Sequence, residues 1–126
     1  MRAVDTNVVV RLIARDDPKQ TAAAEAFVKP GAWVSQLVLA ETIWVLSSVY
    51  ELDARKLALA VELLLDHDTL VLQEPEVVRA ALSVFRARPK VGFSDCLVNE
   101  VARKAGHGPL GTFDRDFSKV SGAQRL

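Results

Sequence analysis

The sequence predicts an α/β protein with a parallel sheet. Short apolar runs alternate along the chain with longer segments of helical periodicity, which is typical of strands joined by helical crossovers. The 126 residues are a common length for one domain, so we expect a single domain over residues 1–126. Half of the residues are hydrophobic and a quarter are charged, which is a globular composition.

Four apolar runs are predicted strands, because each begins or ends near a turn or a helix start. They are Ala3-Val4, Ala32-Trp33-Val34, Thr69-Leu70-Val71-Leu72 and Leu110-Gly111-Thr112. Six helices are predicted over about residues 7–15, 18–28, 37–50, 53–66, 75–87 and 94–105. Pro18 and Pro75 suit first helical positions, whereas Asp53 and Ser94 suit N-caps.

Several classes of protein are disfavoured by composition. No run approaches the roughly 20 apolar residues of a membrane span, so no membrane partner is expected. Asp5 comes too early for the apolar region of a secretory signal, which favours the cytoplasm. Cys96 is the only cysteine, which excludes an internal disulfide and a cysteine-based zinc site, and we expect a buried thiol. His67 and His107 lie outside the acidic motifs and are expected at the surface.

Four carboxylates interrupt hydrophobic segments, and we interpret them as one acidic, metal-holding site. They are Asp5 in Val4-Asp5-Thr6-Asn7, Glu41 in Leu39-Ala40-Glu41-Thr42, Asp95 in Phe93-Ser94-Asp95-Cys96, and Asp114 in Thr112-Phe113-Asp114. An ionised carboxylate in apolar surroundings is costly unless it is paired, hydrogen-bonded or bound to a cation. Local sequence rules also tend to fail at functional sites.

Asp5 and Glu41 each have a second interpretation. Asp5 ends the first strand and leads into the first helix, where it could instead be an N-cap, although Thr6 and Asn7 would cap equally well. Glu41 is the only charged residue between Val38 and Ser48, so we expect a buried helix with Glu41 on a packed face. The alternative for Glu41 is a buried ion pair with an arginine.

Asp95 and Asp114 also have structural alternatives. Asp95 is predicted in the first turn of a helix, where the helix dipole alone favours a carboxylate. Cys96, Leu97 and Val98 follow it and mark this turn as buried. Asp114 follows the last predicted strand. The alternative is a simple Asp-rich turn, and spacing alone does not decide whether Asp114 or Asp116 points inward.

Four segments in order resemble the PIN domain, in particular the small VapC-type toxins of bacterial toxin–antitoxin pairs. The segments are Val4-Asp5-Thr6-Asn7-Val8, Ser35 to Glu41, Phe93-Ser94-Asp95, and Thr112-Phe113-Asp114-Arg115-Asp116-Phe117. The resemblance covers essentially the whole chain. It implies a parallel sheet of about five strands with helices on both faces, and an acidic cluster of Asp5, Glu41, Asp95 and Asp114. Asn7, Ser35, Thr112 and Asp116 match supporting positions.

The chemistry of four converging carboxylates agrees with this resemblance. Two unit charges 4 Å apart repel by about 4 kcal/mol at an effective dielectric of 20, so protons or cations must compensate. Oxygen ligands favour Mg²⁺ or Mn²⁺, which can generate hydroxide and align it with a phosphodiester. We expect Asp5 and Asp95 to ligate the principal cation. Glu41 and Asp114 would ligate a second cation, hold waters or help deprotonate the nucleophile.

The partners follow mainly from the resemblance. Sixteen basic and sixteen acidic residues balance, so the net charge alone gives no hint of a nucleic-acid partner. The resemblance implies an endoribonuclease toxin that cuts single-stranded or looped RNA, including tRNA or rRNA, and a homodimer bound by a cognate antitoxin. Arg86, Arg88 and Lys90 could contact phosphates, or could form a solvated helix end. Apolar helices containing Trp44, Val45 and Leu63-Leu64-Leu65 could supply partner surfaces or pack in the core.

Three other functions are alternatives to a nuclease. A phosphorelay receiver domain needs its phosphoacceptor after a central strand, yet Leu70-Val71-Leu72 runs into Gln73-Glu74-Pro75. An aspartate-based phosphatase needs a second acid that Asp5-Thr6-Asn7 lacks. The more serious alternative is a PIN-like module that binds RNA or a protein without cutting, which metal-dependent cleavage would distinguish from an enzyme.

Overall fold

Two parallel sheets organise the chain. The computed structural model describes every residue from Met1 to Leu126. The chain divides into two units, Met1–Pro75 and Glu76–Leu126, and each contains one sheet. No helix is long and apolar enough to cross a membrane.

The first unit has a three-stranded sheet with helical crossovers. Its strands are β1 (Arg2–Ala3), β2 (Ala32–Val34) and β3 (Leu70–Leu72), paired in the order β1-β2-β3. The first crossover contains α1 (Thr6–Ala14) and α2 (Pro18–Val28), and the second contains α3 (Gln36–Ser48) and α4 (Ala54–Leu65). Both crossovers join parallel neighbours, so the carboxyl ends of all three strands lie at one edge of this sheet.

The two faces of this sheet differ in burial. Ala32 and Val34 are fully buried, while Trp33 between them is exposed. Leu70 and Leu72 are also buried, and Val71, which lies opposite Trp33 in the register, is exposed. The buried side of the sheet faces the core, to which the helices contribute mainly Val9, Val10, Leu39, Leu46, Val61 and Leu64.

The second unit consists of two helices and a two-stranded parallel sheet. The helices are α5 (Pro75–Ala87, which begins at the end of the first unit) and α6 (Phe93–Lys104), separated by a 3-10 turn at Pro89–Val91. The strands are β4 (Leu110–Thr112) and β5 (Ala123–Arg125), with a 3-10 turn at Phe117–Lys119 between them. Phe85 and Phe93 pack edge to face with ring centroids 6.0 Å apart.

Most predicted elements are confirmed, with boundaries that agree within two residues. Pro18 and Pro75 are first helical residues, and Asp53 caps α4 through a hydrogen bond from the Lys56 amide. The Ser94 cap is wrong, because Gly92 adopts a φ of 86° and α6 already begins at Phe93. Strand β5 was not predicted, since Gln124 and Arg125 break any apolar run.

The hydrogen bonds describe a three-stranded sheet and a separate two-stranded one, so a single sheet of about five strands is not confirmed. The α/β architecture and the parallel pairing are confirmed.

The predictions for cysteine and histidine are met in part. Cys96 is buried, and burial is the main cause that raises the pKa of its thiol to about 11. His107 is exposed as expected. The surface prediction is wrong for His67, which is half-buried, with its Nδ1 accepting a hydrogen bond from the Thr69 amide at 3.1 Å.

Candidate active site

Asp5 lies at the carboxyl end of β1 and caps α1. Its Oδ1 accepts a hydrogen bond from the Val8 amide at 3.3 Å, so the structural alternative to a ligand role is realised. The side chain is exposed at the strand edge where open α/β sheets build their sites. A cap occupies one carboxylate oxygen, which leaves the other oxygen available to a ligand.

Glu41 does not lie on a packed face, so the expected burial of α3 on nearly every side is wrong. Only one stripe of α3 is buried, formed by Leu39, Thr42, Ile43 and Leu46. Glu41 is exposed on the opposite side together with Leu37 and Trp44, which are 84% and 63% exposed. Exposure also excludes the buried ion pair with arginine, and makes the Glu41 carboxylate accessible to a cation.

Ser35 starts α3 and has a clear local role. Its Oγ accepts a hydrogen bond from the Val38 amide at 3.1 Å, which caps the helix six residues before Glu41. Ser35 therefore orients the helix that carries Glu41.

Asp95 lies in the first turn of α6, as predicted, between the buried side chains of Phe93 and Cys96. It is half-buried, and two causes raise the pKa of its carboxyl: burial first, and then the negative charge of Asp114. The two carboxylates are therefore close enough to repel each other. A bound cation would relieve this repulsion.

Asp114 is held in a hydrogen-bonded turn just after β4. Its amide donates to Thr112 Oγ1 at 3.0 Å, and its Oδ1 accepts from the Phe117 amide at 2.8 Å. Its carbonyl also accepts from the Ser118 amide at 3.0 Å. Thr112 thus orients Asp114, which agrees with a supporting position, while Asp116 is exposed and its side chain caps nothing.

The donor chemistry fits a hard cation, because all four acids supply oxygen and three of them are exposed. Asp5 and Glu41 belong to the first unit, whereas Asp95 and Asp114 belong to the second. Within either unit alone, no three His, Cys, Asp or Glu side chains are grouped so that they could hold a metal ion.

A pocket of about 460 Å³ lies beside Asn7 in the first unit. Its polar lining residues are Asn7, Arg11 and Gln20, and its apolar lining includes Val8 and Phe27. The Arg11 guanidinium donates to Gln20 Oε1 at 2.6 Å. The pocket places polar donors near the turn that carries Asp5.

Arg11 belongs to a network that the sequence analysis missed. Its Nη1 lies 2.9 Å from both Asp16 Oδ1 and Tyr50 Oη, and the Tyr50 hydroxyl donates to Asp16 Oδ2 at 2.8 Å. The hydrogen bond from Tyr50 is the largest cause that lowers the pKa of the Asp16 carboxyl. Arg11 interrupts the apolar run from Val8 to Ile13, so the signal used for the four acids would have found it.

The basic residues predicted to contact RNA are all exposed. Arg86 lies in the last turn of α5, Arg88 precedes the 3-10 turn, and Lys90 lies in it. This position is compatible with both interpretations given above, phosphate contacts and a solvated helix end.

A comparison with known protein families matches residues 2–123 to the PIN domain. The chain belongs to the PIN domain family. The match runs through both units and includes all four acids. Among curated proteins there is no significant match. PIN domains are typically nucleases and usually use divalent metal ions.

Proposed function

We propose that this PIN domain is a metal-dependent endoribonuclease that hydrolyses RNA phosphodiester bonds. The observation that carries the proposal is the half-buried Asp95 in the first turn of α6, whose pKa is raised by burial and then by the negative charge of Asp114. Two acids that repel each other destabilise the folded protein unless a proton or cation compensates. Functional sites are where such arrangements concentrate.

Asp5, Glu41, Asp95 and Asp114 would hold Mg²⁺ or Mn²⁺. We assign the principal cation to Asp5 and Asp95, and a second cation, bound waters or proton transfer to Glu41 and Asp114. When bound, the metal supplies hydroxide near neutral pH and offsets charge on the phosphodiester.

The chain's own residues would orient these acids. The Phe117 amide fixes the Asp114 carboxylate, and Thr112 Oγ1 holds the Asp114 backbone amide. The cap at the start of α1 fixes Asp5. Asn7, next to that cap, and Asp116, next to the Asp114 turn, would support substrate or water. Preorganised ligands lower the cost of positioning the reacting groups.

We further propose that the enzyme is the toxin of a type II toxin–antitoxin pair in the cytoplasm. The resemblance to VapC-type toxins supports this role, together with a homodimer, a cognate antitoxin, and tRNA or rRNA as substrate. Arg86, Arg88 and Lys90 would contribute phosphate contacts. Leu37 and Trp44 on the exposed side of α3 offer apolar surface to a protein partner.

The test is to incubate purified, antitoxin-free protein with total cellular RNA in Mg²⁺ or Mn²⁺ and to map new RNA ends. EDTA and Asp95→Asn are the negative controls. Asp53→Asn is the matched control, because it changes an aspartate that caps α4 and has no part in the proposed site. Discrete cuts by the wild type and Asp53→Asn alone would support the nuclease. No cuts by folded, metal-binding protein would favour the non-catalytic binding module.

A further inference from the structure

Phe113 is a large apolar side chain that is exposed to solvent and directly precedes the candidate catalytic residue Asp114. It is 81% exposed and lies between Thr112 and Asp114. Single exposed apolar residues are common on protein surfaces, so exposure alone indicates nothing. The position of Phe113 in the chain is what distinguishes it.

The turn that carries Phe113 is ordered by hydrogen bonds on both sides. The Asp114 amide donates to Thr112 Oγ1, and Asp114 Oδ1 accepts from the Phe117 amide. The backbone on each side of Phe113 is therefore fixed. An aromatic ring on a fixed turn loses little conformational freedom when it binds a ligand.

Two exposed arginines accompany this ring. Arg115 directly follows Asp114, and Arg125 on β5 lies opposite Thr112 in the β4–β5 register. Proteins bind single-stranded nucleic acid by combining aromatic rings, on which bases stack, with cations that follow the phosphates. The segment from Thr112 to Arg115 and its strand partner contain both components next to Asp114.

We propose that Phe113 stacks on a base of the RNA strand next to the bond that is cut. Stacking would hold the neighbouring phosphodiester at Asp114 and would tolerate many sequences, because every base presents a flat face. This inference rests on the proposed function, since it takes RNA as the substrate. The exposed Arg115 and Arg125 would contact the flanking phosphates.

Binding of a single-stranded RNA oligonucleotide tests the inference. All variants carry Asp95→Asn, which is expected to prevent cleavage, and the dissociation constant is measured. Phe113→Leu keeps an apolar side chain but loses the ring, so we expect about a 10-fold weaker affinity, equivalent to about 1.4 kcal/mol. Phe113→Trp should bind as tightly as the parent protein or more tightly. Leu63→Trp on α4 is the control, because it adds an indole at an exposed position distant in sequence from all four acids.

Fluorescence adds a readout that needs no cleavage. The indole of Phe113→Trp should be quenched by RNA, beyond any change shown by the parent protein and by Leu63→Trp. An abasic nucleotide at the stacked position should weaken binding to the parent protein and remove the difference in affinity between the parent protein and Phe113→Leu. Such coupling requires that ring and base touch.

The outcomes separate this inference from the nuclease proposal. RNA binding that depends on an aromatic residue at 113 would support stacking, and the absence of cutting by the wild type, which retains Asp95, would reject the nuclease. Metal-dependent cutting with the wild-type KM by Phe113→Leu made without Asp95→Asn, together with unchanged RNA affinity in the binding series, would overturn stacking and leave the nuclease standing. Loss of binding to a protein partner, with RNA affinity unchanged, would also overturn stacking.

Discussion

At the residue scale, Asp5 combines a structural and a proposed chemical role that substitution can separate. Asparagine caps a helix about as well as aspartate, whereas alanine does not. We expect Asp5→Asn to keep wild-type stability and lose metal-dependent cleavage. Asp5→Ala should also lose cleavage and cost about 1 kcal/mol in the free energy of unfolding, measured by urea denaturation.

Asp53 is the matched control for this prediction, because it caps α4 in the same way, with a hydrogen bond of 3.0 Å from the Lys56 amide. Asp53→Asn and Asp53→Ala should reproduce the two stability results and keep full cleavage activity. Full activity in Asp5→Asn would leave Asp5 with the capping role alone.

The pKa of Asp95 should respond to its neighbour. Because the charge of Asp114 raises this pKa, Asp114→Asn should lower it, while Asp116→Asn should leave it unchanged. A carboxyl must be ionised to bind a cation, so activity falls as pH decreases through the pKa of Asp95. Carboxyl carbon NMR titration of the metal-free protein measures the shift, and an Asp95 pKa that is the same in Asp114→Asn and the wild type would refute the coupling.

The raised pKa of Asp95 also determines how the stability of the folded protein changes with pH. The folded state binds the Asp95 proton more tightly than the unfolded state, whose reference pKa is 3.8. The stabilising contribution is therefore fully present below that value and is lost as pH rises through the higher, folded pKa. Asp95 therefore makes the metal-free protein less stable at neutral pH than at a pH below 3.8.

At the element scale, local signals explain why the helices could be predicted. Helix starts are marked by local residues, such as the Asp53 cap and Pro at the first helical position, so a few neighbouring residues are enough to predict them. The orientation of α3 could not be predicted, because apolar residues cover nearly all of its sides and only packing selects the buried stripe. Strand β5 forms because it pairs with β4. Its three residues are polar or small, so their local sequence contains no pattern from which a strand could be predicted.

The turn that leads into β5 depends on Gly122. Its φ is +95°, and an added Cβ would lie 2.8 Å from Arg103 Nη2. Arg103 and Asn99 both donate to the Ser121 carbonyl, so Arg103 can move away only by losing that bond. We expect Gly122→Ala to cost about 2–3 kcal/mol in the free energy of unfolding.

Gly106→Ala is the control for this prediction. Gly106 has a similar φ of +84°, but nothing lies within 4 Å of an added Cβ. It should cost only about 1–2 kcal/mol, the backbone strain alone. Equal losses in urea denaturation would show that Arg103 does not constrain this turn.

At the scale of the whole molecule, the grouping of the four acids into one site was predicted from the family resemblance and not from local sequence patterns. Spacing along the chain places each acid near a strand edge or a helix start, but it does not bring distant segments together. The PIN match over residues 2–123 includes all four acids, two from each unit. The proposed nuclease site would give all four acids one shared role, including Glu41, which lies exposed on α3.

Metal-dependent RNA cleavage is tested most directly by the rate at which a defined RNA is cut as Mn²⁺ or Mg²⁺ is added. The substrate is the fragment identified by mapping total RNA, and the proteins are the wild type, Asp95→Asn and Asp53→Asn. We expect metal-dependent cutting by the wild type and Asp53→Asn, and a loss of at least about 100-fold in Asp95→Asn. Cutting that persists in EDTA, or at the wild-type rate in Asp95→Asn, would contradict this expectation.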